Sequence, residues 1–204
     1  MAAACVKRRC QDFDSQAKTG VTMGKQYEEI SPALREWISK QHMFFVATAP
    51  NSADGLINCS PKGLDTFRVL SPREVAYLDL TGSGVETAAH LGENGRIVFM
   101  FCAFDGPPRI VRLHGAGEYC RPGSAGFAQI APEFPALPGI RGVVRARVSR
   151  VSDSCGYSVP RLDFREDRDT LLKWAEKKGA DELKRYHDSR NARSIDGLPG
   201  LPSL

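Results

Sequence analysis

The chain has no C-x-x-C pair, no G-x-S-x-G, no H-E-x-x-H and no Gly-Lys-Ser/Thr phosphate loop. These absences argue against a zinc ribbon, an acyl-transfer serine elbow, a zinc hydrolase and a Walker-type nucleotide site. Six cysteines (Cys5, Cys10, Cys59, Cys102, Cys120, Cys155) are scattered, so reduced thiols are expected, several of them buried as small hydrophobes. The cytoplasm is then the default compartment. Four histidines (His42, His90, His114, His187) stand far apart, and no metal site is expected. Charge of one sign is also lacking: 28 basic against 24 acidic residues leave +4, interspersed, so nucleic acid is not an expected partner. No apolar run approaches the ~20 residues that cross a bilayer, and no membrane association is expected.

The composition, 42% hydrophobic and 25% charged in 204 residues, suits one domain with tails. Residues 1–25 lack sustained periodicity and are expected to be a flexible extension, Asp12 and Asp14 arguing against an organelle presequence. Ser31 at an N-cap followed by Pro32 predicts a helix over 31–41, with Leu34, Trp37 and Ile38 forming its apolar stripe. Strands are predicted over 43–49, 55–60, 66–70, 75–80, 96–103, 109–119 and 142–151, broken by polar turns. Ser83 and Glu86 form a capping-box pattern before a short helix over 85–91. Further helices are predicted near 122–132 and over 167–188, and residues 194–202 read as extended. Strands at short intervals with few intervening helices imply an antiparallel barrel or meander, mainly β with flanking helices.

Three segments carry candidate chemistry. Asn58-Cys59-Ser60-Pro61-Lys62-Gly63 is expected at a strand end, where Pro61 halts pairing, Gly63 permits a sharp turn, and Ser60 and Lys62 offer a hydroxyl and a cation. Thr81-Gly82-Ser83-Gly84 leads into a helix start, whose unpaired amides and positive dipole end suit an anion, with the Thr81 and Ser83 hydroxyls in support. Arg109 and Arg112, three apart on a strand, face opposite ways, so one can reach a ligand while the other is solvated or pairs across a subunit contact. On spacing alone, the first segment also suits an ordinary strand-ending turn and the second a capped helix with a flexible lead-in. Two anion-holding turns without an acid/base constellation point to a cofactor that brings its own reactivity.

Residues 57–69, 75–91 and 96–109, in that order, resemble the pyridoxamine 5'-phosphate oxidase-related family. The likeness covers about 26–121, and 194–201 is similar to one branch of that family. It implies an antiparallel split β-barrel over 26–154, followed by a C-terminal helix and tail over 155–204. It also implies a homodimer with FMN at the interface. The segment matching Asn58 to Lys62 would run along the flavin and the turn matching Leu80 to Thr87 would hold the phosphate. The partner subunit would contribute from strands matching 99–112. Cofactor contacts are therefore expected from Asn58, Ser60, Lys62, Gly63, Thr81, Gly82, Ser83, Gly84, Thr87, Arg109 and Arg112, with no catalytic residue assigned. Where the family's oxidases carry an Arg-Lys pair after the phosphate turn, this chain has Glu86 and Thr87. That exchange is worth on the order of a few kcal/mol at short range, and Lys62, Arg68 or a partner arginine must offset it. The elements that grip a pyridoxal substrate are not recognisable. The expected function is an FMN-binding oxidoreductase acting on another small molecule. The alternative is a non-catalytic flavin- or haem-binding split-barrel protein, with His90, His114 or His187 as candidate iron ligands.

Overall fold

The computed structural model describes residues 24–201, so most of the expected 1–25 extension lies outside the described residues. Eight strands and four helices follow one another as β1 (Gln26–Tyr27), α1 (Pro32–Ser39), β2 (Phe44–Thr48), β3 (Asn58–Lys62), β4 (Phe67–Ser71), β5 (Glu74–Leu80), α2 (Glu86–Glu93), β6 (Arg96–Cys102), β7 (Ile110–Cys120), α3 (Ala125–Ile130), β8 (Ile140–Ser154) and α4 (Thr170–Arg190). Helix α1 begins as its sequence predicts: Ser31 Oγ accepts from the Leu34 amide at 3.2 Å, and Pro32 occupies the first turn.

The strands form one antiparallel sheet in the order β3-β2-β6-β7-β8-β5-β4, with β1 paired to β8 beyond the stretch that β5 occupies. Period-two burial selects its inner face: Phe44, Val46 and Thr48 of β2 are buried, while Phe45 and Ala47 are half-exposed. The sheet rolls up on this face. Phe44 and Phe67 belong to strands near opposite ends of the order, yet their rings meet at 4.9 Å, and Phe67 meets Phe101 at 5.0 Å. Edge-to-face pairs of this kind add about 0.5–1.5 kcal/mol each beyond burial. Among the described residues no ladder joins β3 to β4, so the roll stays open there. This is the antiparallel split β-barrel that the family likeness implied, and of the two architectures that the strand spacing allowed, barrel or meander, it is the barrel. Helix α2 closes one end, burying Ala88, Ala89, His90 and Leu91.

Four local expectations are corrected. Strand β3 runs through Pro61, which pairs with Phe45, rather than stopping before it. An edge strand tolerates proline because only one of its sides is hydrogen-bonded to a neighbour. The capping box does not form: the N-cap is Val85, without a side-chain bond, and the Glu86 carboxylate accepts from the Ile195 amide at 3.3 Å instead. Helix α4 is interrupted at Gly179 (φ 68°, ψ 172°), a conformation open to glycine and outside the helical region. The tail folds back on its own chain rather than running extended: Arg193 bridges to Pro199, and Leu201 packs against Val85 and Ala88.

Tyr119 lies across Gly142, where an added Cβ would stand 2.6 Å from the phenol ring. Gly142→Ala is expected to cost about 1–3 kcal/mol through overpacking and displacement of that ring. Chemical denaturation of the variant against the parent checks it.

Candidate functional site

Strand β5 reads Glu74-Val75-Ala76-Tyr77-Leu78-Asp79-Leu80 and is buried at all five central positions. Asp79 is therefore a carboxylate inside the protein, only 2% exposed, and a buried charge must be paired. Its partner comes from the start of β8: Arg141 places Nε and a terminal nitrogen each 2.9 Å from Asp79 Oδ2, and is itself 7% exposed. Tyr119 donates its hydroxyl to the same oxygen at 2.9 Å, and Lys62 Nζ stands 4.0 Å from Oδ1. Burial pushes the Asp79 carboxyl up, but Arg141, Lys62 and the donated hydrogen bonds outweigh it and hold the group below the ordinary aspartate value. Arg141 is held charged, its burial outweighed by the Asp79 carboxylate.

The same guanidinium reaches the turn after β5. It donates to the carbonyls of Gly84 at 2.8 Å and Gly82 at 3.3 Å. Asn191, just past α4, donates its side-chain amide to the carbonyls of Gly82 at 3.0 Å and Ser83 at 3.3 Å. Three consecutive carbonyls are thus drawn inward. In a trans peptide plane the N–H of the next residue points the opposite way, so the amides of Ser83, Gly84 and Val85 face away from Arg141 and Asn191. Immediately beyond them begins α2, with no side chain capping its first turn. The sequence expectation placed the outward amides at 82–84; the carbonyl directions move them one residue on.

Thr81 is committed elsewhere. Its hydroxyl donates to the Gly139 carbonyl at 2.8 Å and lies 2.8 Å from His187 Nε2. With its one proton used, Thr81 accepts from His187, which fixes the Nε2–H tautomer and leaves no hydroxyl proton for a ligand. Burial, together with Arg141, pushes the His187 pKa down.

Asn58, Ser60 and Thr87 come together in a second polar string. Asn58 Nδ2 donates to Thr87 Oγ1 at 3.0 Å and to Thr48 Oγ1 at 3.1 Å, and Ser60 donates to Asn58 Oδ1 at 2.8 Å. Thr48 in turn meets His90 Nδ1 at 2.9 Å. The β3 strand is thereby tied to the first turn of α2. Arg109 and Arg112 are not brought to the turn. Arg109 pairs with Asp153 at 2.8 Å and lies over the Trp37 ring, while Arg112 donates to Ser154 Oγ at 3.1 Å. Of the candidate iron ligands, His90 is fully enclosed, His187 has its Nε2 engaged by Thr81, and His114 sits half-buried on β7.

Lys62, Gly63, Thr81 and Gly82 line one cleft of about 1260 Å³. Its walls include Trp37, Leu78, Leu80 and Phe104, and the segment 162–168 crosses it. Leu162 is pinned there by its amide bond to the Phe104 carbonyl at 2.9 Å, and the Phe164 ring stacks on His42 at 3.6 Å. The volume exceeds the roughly 300–1,000 Å³ of an ordinary ligand pocket. Lys62 and the start of the glycine turn at one side, Lys40, Arg165 and Arg168 elsewhere on the lining, and apolar and aromatic walls between are the complement of a planar ring carrying a phosphate. The Arg141 charge is cancelled by Asp79, so Lys62 is the cation of the Asp79 cluster left to face an anion. The residues present fit the phosphate-bearing cofactor expected from the sequence.

Asp79, Arg141 and Asn191 are absent from the sequence-based candidates. The signal for the first was a carboxylate within the apolar run 75–80, which requires a counter-charge once that run is buried. Nothing local identified the other two: Arg141 lies 62 residues from Asp79 and Asn191 lies 109 residues from Gly82, spans that only the fold closes.

Residues 30–155 match the pyridoxamine 5'-phosphate oxidase family. The pyridoxamine 5'-phosphate oxidase family protein ustO of Aspergillus flavus is 44% identical over 195 residues, covering 87% of this chain and 78% of that protein. Among solved structures, HupZ of Group A Streptococcus aligns with a TM-score of 0.47 at 22% identity, over 61% of this chain and 98% of that one. The FAD binding protein of Mycobacterium smegmatis aligns with a TM-score of 0.42 at 17% identity, over 62% and 96%.

Proposed function

This chain belongs to the pyridoxamine 5'-phosphate oxidase family, and from that premise we propose that it binds FMN and serves as a flavin-dependent oxidoreductase on a small molecule. The observation that carries the reading is the turn after β5. Its first residues, Thr81 and Gly82, line the cleft with Lys62. The carbonyls of Gly82, Ser83 and Gly84 are held inward, which turns the following amides outward at an uncapped helix start. Backbone N–H groups at a helix start and one ammonium are a recurrent means of holding a phosphate monoester. In the cleft, Gly63 would let the backbone approach the flavin while Trp37, Leu78 and Leu80 exclude water. The bonded string of Asn58, Ser60 and Thr87, outside the cleft lining, would offer polar contacts along the flavin edge. When bound, the flavin supplies the hydride chemistry, so the protein's part is to bind, orient and shield.

A homodimer completes this reading. On the outer face of β2 and β6, Phe45 lies opposite Met100 and Ala47 opposite Val98, all half-exposed, with Arg112 and His114 next along the same rows. A second copy covering this face would bury the apolar rows and bring its arginines toward the cofactor. No helix among the described residues is long and apolar enough to cross a membrane, and a cytoplasmic enzyme is proposed.

The purified protein is expected to carry, or to take up from added FMN, one flavin per chain with the absorption bands of a bound flavin. Light scattering should give twice the chain mass. A protein that stays colourless after equilibration with FMN contradicts the proposal. Bound flavin that no nicotinamide donor reduces removes the oxidoreductase part alone.

A further inference from the structure

The C-terminal segment does more than cover α2. After α4, Asn191 is completely buried, with its Oδ1 unpartnered among the described residues and its Nδ2 shared between two carbonyls of the glycine turn. The backbone then doubles back: the Gly200 amide donates to the Ala192 carbonyl at 2.9 Å and the Leu201 amide to the Asn191 carbonyl at 2.7 Å. Gly200 lies against Val85, where a Cβ would stand 2.6 Å from a valine methyl. Leu201 fills the space beside Val85 and Ala88, and the Ile195 amide occupies the Glu86 carboxylate. Asn191 is thus fixed by its own backbone, and it fixes in turn the peptide planes that carry the Gly82 and Ser83 carbonyls.

We infer that Asn191 and Arg141 are positioning residues for the anion site. They act as a buried clamp that holds three carbonyls inward and so keeps the amides of Ser83, Gly84 and Val85 presented to a phosphate. A turn with glycines at 82 and 84 has many alternatives in solution, including ones that turn these amides aside. Arg141 supplies orientation more than charge, since Asp79 neutralises it at 2.9 Å. Asn191 supplies orientation alone. The two come from separate elements, β8 and the C-terminal tail, so losing either frees part of the turn. The Glu86 carboxylate stays beside the turn, one oxygen accepting from the Ile195 amide and the other lying against Gly84, so the held amides also have its repulsion of a dianion to offset. In this chain, which has Glu86 and Thr87 where its family's oxidases have two cations, backbone geometry must carry more of the phosphate binding.

The inference rests on the proposed phosphate site, and the test separates the two. Asn191→Ala is compared with Leu201→Ala, which loosens the same tail by packing loss but keeps the amide donor. Binding of FMN and of riboflavin, which lacks the phosphate, is followed by fluorescence quenching. The order of the Ser83 and Gly84 amides is read in the ligand-free protein by ¹⁵N relaxation. Asn191→Ala is expected to weaken FMN about 10-fold, to leave riboflavin within about 2-fold, and to raise disorder at Ser83 and Gly84. Leu201→Ala, which keeps the Asn191 donor, should shift the FMN-to-riboflavin ratio less than Asn191→Ala does. Equal weakening of FMN and riboflavin in Asn191→Ala, or unchanged FMN affinity, overturns the clamp. If the parent protein binds neither flavin, the cofactor reading fails. The relaxation data then still judge the clamp, which is overturned by unchanged order at Ser83 and Gly84. Should Asn191→Ala not fold, Asn191→Ser, which keeps a shorter donor, is put through the same comparison with the same criteria.

Discussion

Asp79→Asn is expected to lower the unfolding free energy by about 3–5 kcal/mol, because it strands a buried cation without its counter-charge. The substitution is nearly isosteric, so packing is preserved and the loss is electrostatic. It leaves the Arg141 guanidinium, 7% exposed, without the carboxylate that both its Nε and a terminal nitrogen address. It also turns the Tyr119 hydroxyl and Lys62 toward a neutral amide. For a chain of this length such a loss lowers Tm by roughly 6–20 °C. Thermal and chemical denaturation of the variant measure it, and a change below about 1 kcal/mol would show that the fold does not depend on the pair. The same pair sets an acid limit. Because the folded-state Asp79 value lies below its ordinary one, its contribution is complete above the unfolded aspartate value of about 3.9. It is lost as pH falls below that toward the folded value, so stability should decline in that window and the variant's decline there should be shallower.

Lys62→Ala is expected to weaken FMN about 10- to 100-fold, the magnitude of one charge-assisted hydrogen bond to a phosphate, while riboflavin changes little. Lys62 is suited to this part because it is only partly withdrawn from solvent, borders the cleft, and stands 4.0 Å from Asp79, too far for a tight ion pair. The folded state should be nearly indifferent: an incompletely buried pair of this length contributes up to about 1 kcal/mol. The two substitutions therefore separate cleanly, Asp79→Asn acting on stability and Lys62→Ala on affinity. A Lys62→Ala protein that holds FMN as tightly as its parent would mean that the phosphate lies elsewhere.

What the sequence made legible were the features whose causes are local. Ser31 and Pro32 start α1 because the cap and the fixed proline φ act within one turn. A short apolar, β-rich run over 43–49 and alternation along 142–151 pointed to β2 and β8, because both signals are written into consecutive residues. The glycine turn at 82–84 and Lys62 were found for the same reason, and Lys62 and Gly82 do line one cleft. What escaped was set by distant partners. The capping box at Ser83 and Glu86 lost to Arg141, Asn191 and Ile195, which claim the turn's carbonyls and the carboxylate that the box needs. The Thr81 hydroxyl lost its ligand role to Gly139 and His187. The helix predicted over 167–188 ran straight across Gly179, and only the positive φ reveals a break. The tail read as extended because its turn-forming bonds close on Asn191 and Val85, and only the folded chain shows those contacts.

At the centre stands the proposal that the backbone of the turn after β5 grips a phosphate. Backbone amide resonances of Ser83, Gly84 and Val85, followed during titration with FMN and separately with riboflavin, test this most directly. Downfield shifts of these three amide protons are expected with FMN and little movement with riboflavin. Tight FMN binding that leaves all three resonances in place would contradict it.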